Sequence, residues 1–285
     1  MRRTREHAAS GGGVCWELGG IVVYEFTSDG FLASDSDELV TAIRATCPDV
    51  FDRAYALNRE LHESLFQFEI QNRDPQQLLV ATLAPRALEH FQSAIVLLER
   101  GLVASGAAVT RALLESVFAV RALIRDESFV ERYIASDLPH RKKLINKLKQ
   151  NAYPVFEEAN AAIRDEDVES LDIEIVEHDA RSISAEELSR AAGMHDWYLS
   201  AYSMLSQPVH SSVREMDRYL TIDALGEVKA LQYGPSSEEI PHLVLTACRA
   251  VLLGVGAAAE FFSKPVFTAQ EHLDFIESRL AELPG

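Results

Sequence analysis

The stretch YSMLSQPVHSS, residues 202–212, carries Tyr202, Ser206 and His210 at intervals of four. On a helix of 3.6 residues per turn, such positions share a face. A phenol, a hydroxyl and an imidazole on one face could exchange protons as general acid and base, or hold a polar ligand. His195 lies about two turns earlier, close to the same face. Pro208 removes one helical hydrogen bond and crowds the carbonyl of Met204, which predicts a bend or a restart there. Read more plainly, Ser206 or Tyr202 only satisfies carbonyls that the proline frees.

A second pair stands in TRALLES. Arg111 and Glu115 are i and i+4 on a stretch whose central turns are otherwise almost wholly apolar. Charges on a buried helix are costly unless paired. The pair is either an intrahelical ion pair tied to a neighbouring helix, or half of one buried polar pocket formed by Arg111, Glu115, Tyr202, Ser206 and His210. Converging buried polar groups are the usual mark of a site. Such a pocket would take a small polar ligand, or lock a helix arrangement that presents a surface to a protein partner.

RALLESVFAVRALIRD, followed much later by WYLSAYSMLSQPVHSS and a hairpin, resembles an uncharacterised prokaryotic all-helical family, a domain of unknown function. Its pattern is an Arg-x-Leu-x-Glu helix and a later Tyr-x-x-x-Ser-x-x-x-His element. Arg111 and Glu115 fit the first; Tyr202, Ser206 and His210 fit the second. The resemblance spans roughly residues 76–263. It implies an all-α fold and assigns no activity. A looser likeness joins Arg190 and His195, in RAAGMH, to the Arg-then-His spacing of helical ribonuclease toxins of the HEPN type. Ala191 stands where those proteins carry a polar residue, and Gly193 suggests a helix break. That alternative is metal-independent RNA cleavage by a dimer, in stress or phage defence. His210 or His195 would serve as base or acid, and Arg111 or Arg190 would steady the phosphorane charge.

No metal and no cofactor is expected. His-x-x-His and Cys-x-x-Cys pairs are absent, Pro241 spoils the Glu239–His242 spacing, and His62 lacks a second histidine partner. There is no phosphate-cradling glycine loop and no Gly-x-Ser-x-Gly elbow. LPHRKKLINKLKQ, residues 138–150, is the one concentrated basic run. It could bind an anionic ligand or nucleic acid, although no aromatic residue interleaves with it. The simpler reading pairs it with the acidic FEEANAAIRDEDVESLDIEIVEHD.

The 285 residues carry a formal charge of −17, which disfavours general nucleic-acid binding without ruling on a local patch. Cys15, Cys47 and Cys248 are odd in number and lack metal spacing, which fits a reducing cytoplasm and buried thiols. HLVLTACRAVLLGVGAAAEFF is long enough to span a bilayer, but Arg249 stands near its middle. A mid-bilayer charge costs about 2.5–3.5 kcal/mol, so this stretch is expected as a core helix and no membrane is expected as a partner. Its small residues, Gly254 to Ala259, suit either packing within the chain or a homodimer.

These groups have to be positioned by helices. Residues 1–35 read as a flexible leader with a short strand at IVVYEF, and residues 36–285 as a single helical bundle. Asp49 is expected to cap a helix reaching about residue 71, and Asp74-Pro75 to start the next, with Pro85 kinking or dividing it. The cleanest helix covers residues 104–126. Shorter ones are expected over 127–136 and 138–151, then one acidic helix from 153 to about 177, and a capping box at Ser184 and Glu187. Helices over 195–207 and 209–218 precede a β-hairpin near 219–234. A long apolar helix over 236–263 and a last one over 269–283 complete a mainly α fold.

Overall fold

In the computed structural model, which describes residues 2–3, 14–18, 21–26, 29–32, 36–71, 73–150, 153–209 and 216–283, the expected strand forms as β3 (Ile21–Phe26). It pairs antiparallel with β2 (Val14–Leu18), and β2 with β1 (Arg2–Arg3), two strands the sequence reading missed. After α1 (Ser36–Arg44), α2 runs Pro48–Leu65. Asp49 does not cap it. Cys47 precedes the helix without a side-chain bond, while Asp49 lies inside the first turn, where a carboxylate meets the positive end of the helix dipole.

Asp74 does cap α3 (Pro75–Leu98), accepting the Gln77 backbone N–H at 3.0 Å. Pro85 lies inside α3 and does not divide it. Ala81, Ala84, Ala87 and Leu88 on either side are buried, and that packing outweighs one missing bond. Gly101, at φ +76°, turns the chain into α4 (Val103–Arg125). A Cβ there would stand 2.6 Å from Pro235 Cβ, so both backbone and space demand glycine. α3 and α4 pack along their lengths. Phe91 from α3 and Leu113, Leu114, Phe118 and Leu123 from α4 are fully buried, each contributing about 1.5–3 kcal/mol by burial.

α5 (Phe129–Ala135) and α6 (Asp137–Lys149) follow. The expected single acidic helix is instead a 3₁₀ turn (Pro154–Phe156), α7 (Glu157–Ala162) and α8 (Asp165–Glu177). Ile163 and Arg164 are extended between the helices, and Arg164 binds the Asp167 carboxylate through Nε and Nη2, which starts α8 afresh. Leu138 and Leu171 hold α6 and α8 together in a small separate core. The capping box of α9 (Ala185–Ala191) is present on both sides, Ser184 to Glu187 and back.

Gly193, at φ +67°, separates α9 from α10, residues 195–209. α10 comprises His195–Trp197, a π-turn at Tyr198–Tyr202 and Ser203–Val209. The helix expected to end at Gln207 runs through Pro208 to Val209, with a π-turn upstream, and the chain just beyond, where a restart was expected, lies outside the described residues. The helix expected over 209–218 falls largely outside the described residues; its end is a 3₁₀ turn, Asp217–Tyr219. The hairpin forms as β4 (Leu220–Ile222) and β5 (Val228–Leu231). Asp223 accepts the Leu225 and Glu227 N–H groups at its tip.

α11 (Ile240–Phe261) is long and apolar enough to cross a membrane, yet 72% of its most apolar 18-residue stretch is buried inside the protein. The Arg249 guanidinium pairs with Glu277 at 3.2 Å and lies over Trp197. Gly254, Val255, Gly256, Ala258 and Ala259 are buried. A Cβ on Gly254 would meet Val117 Cγ2 at 2.7 Å, so these small residues serve the contact with α4 inside the chain. α12 (Ala269–Glu282) packs beside α11. Cys47 and Cys248 are free and buried; burial raises both thiols, Cys248 to about 12.

Candidate functional site

The apolar stripe of α4 faces the core, which leaves Arg111 and Glu115 on its flank, where α10 docks. There Tyr202 meets both. Arg111 Nη2 donates to the Tyr202 hydroxyl at 2.7 Å, and that hydroxyl donates to Glu115 Oε1 at 2.7 Å. The triangle closes with Arg111 Nη2 at 3.1 Å from Glu115 Oε1, and the guanidinium carbon lies 4.8 Å from the Tyr202 ring centre. Such charge-assisted bonds are the strong ones. Burial, and next the bond to Glu115, pushes the phenol up to about 12, while Arg111 pulls it back. Tyr202 is thus a fixed proton donor at neutral pH and not a base.

The π-turn adds an aromatic column. Tyr198 stacks on Tyr202 at 5.1 Å, and His195 on Tyr198 at 5.9 Å. Phe118 of α4 closes the far side, tilted 6.1 Å from Tyr202. π-turns collect at functional sites, and this one holds the residue that binds both charges.

Other residues stand apart from this triangle. Ser206 Oγ donates to its own helix at the Tyr202 carbonyl, 2.7 Å away, the modest role open to it on an irregular helix. His210 lies outside the described residues. His195 contacts Ser189 Oγ at 3.5 Å through Nδ1. Arg190 pairs with Glu186 at 2.8 Å on the surface of α9. Nor is the triangle a buried pocket. The Arg111 side chain is 22% exposed and Glu115 42%, because a position among apolar neighbours in sequence can still sit at the edge of a helix contact. Arg111 Nε is buried with no partner among the described residues.

The sequence reading missed His90 on α3. Burial lowers its imidazole below the ordinary range, the Arg86 charge adds to this, and Glu89 and Glu115 oppose it. Of the triangle, His90 thus feels the Glu115 charge. A lone histidine in ALEHF gave no pattern to find it by. A second Tyr–Glu–Arg group was missed as well. Glu99, buried at 7% exposure, accepts the Tyr55 hydroxyl at 2.6 Å, with Arg44 and Arg100 at 3.9 and 3.6 Å. Burial first, then Glu99, raises the Tyr55 phenol. This group clamps α1, α2 and the end of α3.

The basic run pairs in part with acidic neighbours: Arg141 with Asp137, Lys142 with Asp172, and Lys149 with Asp165. Among the described residues no group of histidine, cysteine and carboxylate side chains could hold a metal ion.

A family model described as "Family of unknown function (DUF5677)" matches residues 77–227, just over half of the 285 residues. That span holds Arg111, Glu115, Tyr202 and His90. No curated protein and no solved structure matches the chain.

Proposed function

The chain belongs to DUF5677, and we propose that its Arg111–Tyr202–Glu115 triangle, with His90 beside it, binds a small polar ligand. The observation that carries this reading is the half-exposed Glu115. Its Oε1 takes both internal bonds, which leaves Oε2 to accept a ligand donor from solvent. The Arg111 side chain is itself 22% exposed, so a ligand acceptor is served as well. The ligand this suits carries a donor and an acceptor within one small molecule. Tyr202 holds the two charges in register, and the π-turn holds Tyr202.

A thermal-shift screen of polar metabolites tests it. At least one compound should raise the melting temperature of the wild type and fail to raise that of Glu115→Gln, which keeps the size of the side chain and the fold. Should Glu115→Gln and Arg111→Lys respond to every compound as the wild type does, the triangle is a structural lock and the binding reading is lost.

A further inference from the structure

We propose that a second, independent site, the cleft between α6 and α8, binds the phosphate group of a soluble phosphorylated small molecule. The cleft is a shallow, open one of about 570 Å³, within the range of small-molecule sites. Lys142, Lys143 and Lys147 line one wall, and Arg181 and Ser182, from the segment between α8 and α9, line the other. The four cations do not share one fate. Lys142 is held by Asp172 and Arg181 by Asp179. Lys143 and Lys147 have no acidic side chain within ion-pair distance among the described residues.

This is unexpected for a chain with 44 acidic residues against 27 lysines and arginines. Lys143 and Lys147 are also i and i+4 on α6, a like-charge arrangement that destabilises a helix. An anion between them would relieve that repulsion. The Ser182 hydroxyl and the amides of Asn146 and Gln150 supply the neutral donors that phosphate oxygens take. Ile175 and Ala180 give the cleft an apolar floor, which suits a ligand with a carbon body behind its phosphate. A groove for nucleic-acid bases would need aromatic platforms, and no aromatic side chain lines this one.

Isothermal titration of the full chain with inorganic pyrophosphate at low ionic strength tests the site. Binding should weaken by at least about tenfold in Lys143→Ala/Lys147→Ala, as expected when charged donors are removed. Both lysines are exposed, so the variant keeps its helical circular dichroism. Lys149→Ala, which removes a lysine already held by Asp165 and outside the cleft, should change affinity by less than about twofold. No heat with the wild type, or equal affinity in the double variant, overturns the site. So does co-sedimentation with phosphoinositide vesicles, or capture of an RNA oligomer, by a chain that ignores free pyrophosphate.

Discussion

Tyr202 hands its phenolic hydrogen to Glu115 over 2.7 Å, although 87 residues separate the two in sequence. One hydroxyl thereby joins α10 to α4, accepting from Arg111 while it donates to the carboxylate. Its ring packs against Phe118 and Tyr198 in the same joint.

Removing only that hydroxyl, in Tyr202→Phe, should cost about 1.5–3 kcal/mol, the range for hydrogen bonds to charged groups. Urea unfolding measures it. The pH dependence should change too. Tyr202 ionises near 12 in the folded chain, against about 10 for an ordinary tyrosine. A raised folded value means that its contribution is complete below pH 10 and is lost as pH climbs through 12. Tyr202→Phe should show a shallower loss of stability over that interval; an identical slope would show that the phenol is not held as described.

Acid should act through His272. This side chain is 1% exposed and its imidazole is lowered by burial, against opposition from Glu60; Arg53 adds to the lowering. Its Nε2 stands 3.3 Å from Glu60 but out of line for a hydrogen bond. The unfolded chain takes up a proton near pH 6.5, where the folded chain does not. Stability should therefore fall as pH drops below about 6.5. His272→Gln should lose less between pH 7.5 and about 5.5 than the wild type, in denaturant midpoints at each pH.

Gly254→Ala probes the seam between α11 and α4. The new methyl would come within 2.7 Å of Val117 Cγ2, a stiff β-branched group. Overpacking costs about 1–3 kcal/mol, offset by up to about 1 kcal/mol of helix propensity. A net loss of roughly 1 kcal/mol is expected from these two terms. Val117→Ala in the same chain should recover part of it, and strict additivity of the two changes would rule out the clash.

Expectations were met where the signal is local. Asp74 before Pro75, and Ser184 three residues before Glu187, encode caps whose partners lie within the same turn. Asp49 carried a similar signal, but Pro48 was free to start the helix two residues earlier, with Cys47 before it. Pairing of Arg111, Glu115 and Tyr202 could be inferred from costly charges on an apolar helix. Their exposure could not, because it depends on which neighbour covers the flank of α4. The π-turn was illegible as well: Tyr198–Tyr202 is ordinary helical sequence. His90 needed three-dimensional proximity to Glu115 before it meant anything.

RNA cleavage separates the binding reading from its enzymatic rival. Purified chain incubated with RNA, with and without divalent metal, should leave it intact. Degradation that vanishes in His195→Ala would transfer the function to the aromatic column of α10.

A π-turn holds one residue more than the α pitch needs, so this chain keeps count at Tyr198–Tyr202. Deleting Ala201 would restore the ordinary pitch and rotate the remainder of α10, through Val209, by roughly 100° about the helix axis. The phenol would swing off the guanidinium, and the contact of α10 with Arg111 and Glu115 would be lost. A change in length of a single codon is thus enough to make or unmake the joint between α10 and α4.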